Sequence, residues 1–427
     1  MRNPVFTILK ALAIVLVVLS QTGVPAWLID LGRMCAIPAF FICAGYCFKT
    51  KYLADERTFV VHRLKGLYLP FVIWSVVILC LHNFFHLCGL LSETYGDALG
   101  QVSKPFTFNE FSQRLWSVVF NMSGYDAFIC SSFWFFRALL FASLAFLVLL
   151  KIFNHTKGNR FSLKRAGWGT LLLAFALLLW QVCSKLHLTG IALGGSRELW
   201  GLFFMAAGFL LAQYNVVEKI LNWKVALPAF VVWVLSLFFF PTDLLAQPTY
   251  SQLFLLPVSA LAGFLVLAYC SVKLAVWETF VKRGLIYIGN HTLYIFAFHI
   301  LAFKLVSIFK VAYYGLPWEA VSGYPYVREP GNNLLFVAIY LLAGISLPLL
   351  CREAWLHYAP KLRISFSKEQ VLNACLVVVQ SVLLACAWIF RFLLRCCRGV
   401  VRFFVSCFKT FVAGIKAILD ASSTKEE

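Results

Sequence analysis

Charge is what this sequence has least of. Only 13% of its 427 residues are Asp, Glu, Lys or Arg, whereas 62% are hydrophobic, and the mean hydropathy is +0.84. That balance excludes a string of ordinary soluble domains and fits a polytopic membrane protein. Acidic side chains are the scarcer sign, 18 against 37 basic, leaving a formal net charge of +19. The excess does not read as nucleic-acid binding. The positives sit in short loops between apolar runs, and no nucleic-acid fold signature accompanies them. Metal-ligand spacing is missing too. The 14 cysteines form no CxxC pair, and most fall within apolar runs as small buried hydrophobes. Cys88 and Cys130 flank one loop, and pairing between them stays open. No cleavable signal peptide is expected either: Lys10 interrupts the first apolar run, and Gly23, Val24 and Pro25 follow it instead of a small-x-small site.

What is present is a series of apolar windows of membrane-spanning length. They lie near 5–23, 28–48, 67–89, 128–150, 168–186, 198–215, 224–240, 253–272, 285–309 and 333–351. The fold class is therefore all-α, a polytopic transmembrane bundle of about ten spans. Connections are short except for 90–127, and 311–332 is a smaller polar loop rich in Gly and Pro. With the N-terminus inside, the outward segments hold only Arg33, Lys104, Arg114, Lys185, Arg197 and Arg328, and the inward ones hold far more Lys and Arg. The positive-inside rule then puts both ends of the ten-helix core in the cytoplasm. Beyond it, Val371–Phe390 is apolar, and Arg391, Arg395, Arg398, Arg402, Lys409 and Lys416 form a basic stripe. This reads as an amphipathic interfacial tail on anionic lipid, in preference to an eleventh span. The domains are thus 1–365, transmembrane, and 366–427, membrane-associated tail.

Polar residues inside the spans are few, so each carries weight. A lysine in hydrocarbon costs about 2.5–3.5 kcal/mol even on lenient scales, so Lys10 should face a protein-lined hollow. Gln21 lies eleven residues on, almost three helical turns, which predicts one shared face about 16 Å long. In PAFFICAGYCF, Gly45 and Tyr46 read as close helix packing. The basic loop before the third window serves topology or cradles a polyanion, with Arg63 and Lys65 best placed for phosphates. His82 and His86 share a face, but no carboxylate or Cys stands beside them at ligand spacing, so no metal is expected. Arg137 cannot lose its proton and needs an anionic or carbonyl partner in the bundle. In YIGNHTLYIFAFH, His299 is a candidate proton-transfer group, expected at a depth comparable to Gln21.

The ordered set ILKALAIVLVVLSQ, PAFFICAGYCF, HRLKGLYLPF, SFWFFRALLF and YIGNHTLYIFAFH resembles the membrane-bound acyltransferase-3 family over about residues 4–351. The resemblance implies a ten-helix core that moves acyl groups, mostly acetyl, onto sugars of surface or secreted glycans. Lys10 matches the family's basic residue of the first helix, but Gln21 stands where the family has histidine. Ala44-Gly45-Tyr46 replaces Ser-Gly-Tyr, Arg63 with Lys65 and Gly66 replaces paired arginines, and Trp134 and Arg137 match the fourth helix. The family histidine is expected to take the proton of the acceptor hydroxyl. Gln cannot do so near neutral pH, which leaves His299 as the leading substitute.

The expectation is an integral-membrane O-acyltransferase, in a bacterial inner membrane, moving an acyl group from acyl-CoA (acetyl-CoA) to a glycan or lipid-linked sugar acceptor. His299, Gln21 and Lys10 are its catalytic candidates, and Arg63, Lys65, Arg137 and Tyr46 its donor-binding ones. The alternatives are a non-catalytic relative that translocates or binds a glycan intermediate, or a scaffold of a polysaccharide-assembly complex.

Overall fold

The computed structural model describes residues 3–95, 103–155, 163–184, 192–328, 330–331 and 333–358. The expected domain boundary at 365 and the whole basic tail lie outside them. Every regular element among the described residues is helical. In chain order the principal helices are α1 (Pro4–Leu19), α2 (Ala26–Tyr46), α3 (Glu56–Leu87), α4 (Phe108–Asn121), α5 (Trp134–His155) and α6 (Leu163–Ser184). They continue with α7 (Ser196–Gln213), α8 (Trp223–Phe239), α9 (Tyr250–Val276), α10 (Phe280–Asn290), α11 (Thr292–Tyr314) and α12 (Leu334–Tyr358).

Each of the ten apolar windows holds a helix, but length and composition support fewer crossings. Seven helices (α2, α3, α5, α6, α9, α11 and α12) are long and apolar enough to cross a membrane, while α1 and α8 are apolar but shorter. The window 285–309 is not one helix. It breaks at His291, between α10 and α11. Gly289 and Asn290 are weak helix formers, and the His291 Nδ1–H donates to the Tyr287 carbonyl at 2.8 Å, closing the end of α10. Cys88 and Cys130 are both free thiols.

At the centre stand α1 and α2. The first packs against α2, α9, α10 and α11, and the second against α1, α7, α8 and α9. The bundle tightens wherever glycine removes a side chain. A Cβ on Gly45 would lie 1.8 Å from the Met205 carbonyl oxygen, and one on Gly208 2.0 Å from that of Ile42, so α2 and α7 cross backbone to backbone. That accounts for Gly45 as packing. Likewise a Cβ on Gly289 would meet the Thr7 carbonyl oxygen at 1.9 Å, pinning the start of α1 to α10.

The Asn3 side chain caps α1 by accepting from Val5 N–H, with Pro4 at the first helical position, where its missing N–H costs nothing. The other end closes early. Ser20 Oγ donates to Val17 O (2.7 Å) and Thr22 Oγ1 to Leu19 O (2.8 Å), and Gly23 turns the chain with φ +86°. Gln21 therefore lies beyond α1, and a shared helical face with Lys10 does not extend to it.

In α3 the turn Leu64–Tyr68 is widened to a π-turn. Pro70 has no N–H to offer the Gly66 carbonyl, and its ring would collide with it in a regular helix. The wider turn absorbs the conflict.

Candidate functional site: a cationic cavity at the start of α1

A cavity of about 300 Å³ opens where α1, α2, α3, α5 and α11 meet. Its lining includes Lys10, Arg63, Ala44, Phe135, Thr292 and Phe296. Two cations from distant parts of the chain thus share one hollow, and no carboxylate is among the residues that line it. Both are half-buried. Arg63 precedes the π-turn, its guanidinium 5.0 Å from the Phe59 ring centroid. Thr292 and Leu293 open α11, so the positive end of a 23-residue helix faces the same space. Phe135 joins Phe40 (centroids 5.7 Å) and Phe296 (4.9 Å) in an aromatic floor. Chemically this is a place for an anion attached to an apolar or planar group.

Not every expected residue belongs to it. Lys65 is exposed and Tyr46 is engaged elsewhere: its hydroxyl donates to Glu218 Oε2 at 2.6 Å, and its ring lies 4.2 Å from Phe6. Arg137 is buried at the start of α5, where its Nε donates to Glu198 Oε1 at 2.8 Å. The anionic partner it requires is therefore a protein carboxylate. Trp134 accompanies it, with the Arg197 guanidinium 4.7 Å from its ring. Beside this cluster burial pushes the Tyr125 hydroxyl up to about 12. Desolvation also raises the Asp243 carboxyl, and the Leu245 N–H at 2.8 Å and Arg33 at 3.5 Å only partly offset it.

His299 is fully buried and does not line the cavity. It stands one turn beyond Phe296, ring centroids 6.4 Å apart. Its Nδ1 lies 2.9 Å from the Ile295 carbonyl and 3.1 Å from that of Phe296. A carbonyl only accepts, so the proton sits on Nδ1, and Nε2, which has no hydrogen-bond partner, keeps its lone pair. The expected depth is corrected. Val18 of α1 and Phe303 of α11 both close on Gly344, 2.9 and 2.6 Å from where its Cβ would be. With α1 and α11 running in the same direction, His299 falls a turn before that level and Gln21 beyond it. The two are thus offset by about 10 Å along the bundle.

The His82–His86 pair is hydrogen-bonded within the protein. His82 Nδ1 contacts Asp126 Oδ2, and its Nε2 lies 2.9 Å from the Lys104 carbonyl. Both ring nitrogens are thus engaged by the protein's own acceptors. His86 Nε2 is 3.0 Å from Ser103 Oγ. No group of three or more metal-ligating side chains occurs among the described residues.

Asp126, Glu198, Lys304 and Lys310 escaped the sequence reading. The lysines carried a signal, two cations six residues apart, one inside the apolar window 285–309 and one at its edge. Lys304 Nζ donates to the carbonyls of Val321 (3.2 Å), Ser322 (2.9 Å) and Gly323 (3.0 Å), and Lys310 Nζ to those of Val327 (2.7 Å) and Gly331 (2.5 Å). Between them they tie the loop after α11 back onto it.

A protein-family model described as an acyltransferase domain matches residues 3–353, nearly all of the described helices. No curated protein and no solved structure matches the chain.

Proposed function

Because the chain belongs to the acyltransferase-3 family of membrane acyltransferases, we propose that it transfers an acyl group, acetyl in the simplest case, from acyl-CoA to a hydroxyl of a surface or lipid-linked glycan. One observation carries the donor assignment: Lys10, Arg63 and the start of α11 converge on a cavity lined by no carboxylate. Diphosphate and phosphate are the anions such a donor set suits best, and the aromatic floor suits a thioester arm. The distribution of Lys and Arg supports a cytoplasmic location for this end of the bundle, where acyl-CoA is.

The acceptor oxygen attacks the thioester carbonyl carbon, a C–O bond forms and the C–S bond breaks. The hydroxyl proton passes to His299 Nε2 and then to the departing sulfur, so CoA leaves as the thiol. Nε2 is preset for this by its proton-bearing Nδ1. Phe296 stands between it and the cavity, so the step requires that ring to turn aside. Gln21, in the turn just beyond α1, serves as a hydrogen-bonding contact to the acceptor.

The test uses purified membranes with labelled acetyl-CoA. Lys10→Ala and Arg63→Ala should each weaken donor binding about tenfold, the loss of roughly 1.4 kcal/mol. His299→Gln should leave donor affinity intact and lower turnover by about 10²–10⁴, and Gln21→His should raise it. Unchanged CoA affinity in both cation variants removes the donor site. The walling-off of His299 by Phe296 favours a second reading, a non-catalytic relative that binds or translocates a glycan intermediate. Donor binding without labelled product, in the native protein and in Gln21→His alike, would establish that reading.

A further inference from the structure

A second hollow, of about 600 Å³, is distinct from the cationic cavity and shares no residue with it. On α11 the cavity touches Thr292, Leu293 and Phe296, whereas the hollow's lining includes Tyr294, Phe298, Leu301, Leu305 and Ile308. The second set follows the 4, 3, 4, 3 spacing of a single helical face, so α11 is a partition with one site on each side. Across from it stand Trp74 of α3 and the stretch Leu347–Leu356 of α12. From Tyr294 to Ile308 the lined face runs about 21 Å at 1.5 Å per residue, within the roughly 30 Å of a hydrocarbon core. Its walls are aliphatic and aromatic for most of that length.

Its charges decide what fits. The lining includes two cations, Lys304 and Arg352, and no carboxylate. Lys304 spends its ammonium group on three backbone carbonyls, so its methylene stem serves as wall. Arg352 stands at one end, beside Tyr294, whose ring centroid is 5.3 Å from the guanidinium, and near the exposed Trp355. It contacts Glu353 through Nη1, while its buried Nε has no partner. An arginine with Trp and Tyr at the mouth of a hydrocarbon groove is the arrangement of a membrane interface.

We propose that this groove holds a hydrocarbon chain of an anionic phospholipid, its phosphate on Arg352 and its chain running along α11 toward Ile308. The assignment does not depend on the acyl-transfer reading. It is tested on the full-length protein in nanodiscs of phosphatidylglycerol and phosphatidylcholine, with bound lipid counted by native mass spectrometry. The wild type should retain phosphatidylglycerol about tenfold over phosphatidylcholine, because both present a phosphate but only phosphatidylcholine brings a choline cation up against Arg352. Arg352→Gln should equalise the two and Arg352→Lys should keep most of the preference. Cys351→Trp, at an exposed position on the lining, should lower retention of both by obstructing the chain. CoA affinity should not move in any variant. A wild type without preference overturns the proposal. So does a preference that survives Arg352→Gln, which would belong to the basic C-terminal stretch, or retention unchanged in Cys351→Trp.

Discussion

Lys304 and Lys310 show how a membrane helix carries a charge on backbone carbonyls. Each is buried to 2% exposure or less, and each is surrounded by backbone carbonyls of the loop that connects α11 to α12. Carbonyl dipoles replace hydration, and in return three loop oxygens that would otherwise be buried unpaired are satisfied. Lys304→Met keeps the length of the side chain and removes those bonds. It should cost about 3 kcal/mol, since hydrogen bonds to a charge contribute roughly 1.5–3 kcal/mol and stranded acceptors add more. Thermal unfolding in detergent should show a lower midpoint, and hydrogen exchange should rise over residues 318–323 before the rest of the bundle responds. His299 meets the same requirement differently, by lending Nδ1–H to its own helix. Gln21 shows the limit of reading residues by spacing: eleven positions from Lys10 means one face only while the helix lasts, and α1 ends at Leu19.

The π-turn in α3 matters more than its five residues suggest. An extra residue in a turn rotates the helix before it by about 100° relative to the helix after it, and Arg63 lies immediately before it. Pro70→Ala supplies the missing N–H and lets the turn revert to α geometry. The expected result is an intact fold with Arg63 turned out of the cavity. CoA affinity should then fall about as far as in Arg63→Ala, read by titration, while the unfolding midpoint stays within a few degrees. The break at His291 also positions a site. By ending α10 there, the chain brings the first residues of α11 to the cavity wall, which one unbroken helix over 285–309 would have hidden in its middle.

For the molecule as a whole, the sidedness of the two hollows depends on orientation, and the loop charges make it testable. On a cysteine-depleted background, Gln113→Cys, exposed on α4, should react with a membrane-impermeant maleimide added to intact cells. Arg57→Cys, exposed at the start of α3, should react only after permeabilisation. The opposite pattern would move the cationic cavity to the outer face, away from cytoplasmic acyl-CoA. Helix existence was legible over every apolar window, because a backbone in hydrocarbon must satisfy its own hydrogen bonds and hydrophobic length records that directly. Crossing number was not: α1, α7 and α8 are short or carry charge at one end, and only their neighbours make such helices tenable.

The sequence by itself determined the all-helical membrane class, the family, and the need of Lys10 and Arg137 for protein surroundings, since each follows from composition or from the cost of a charge in hydrocarbon. Only the tertiary structure decided which surroundings they have. Lys10 shares a cavity with Arg63, 53 residues further along the chain, Arg137 is paired with Glu198 from another helix, and His299 stands behind Phe296 instead of level with Gln21. Those pairings depend on which glycines let backbones touch and where each helix stops, and both are settled by packing among distant segments, to which no local pattern has access.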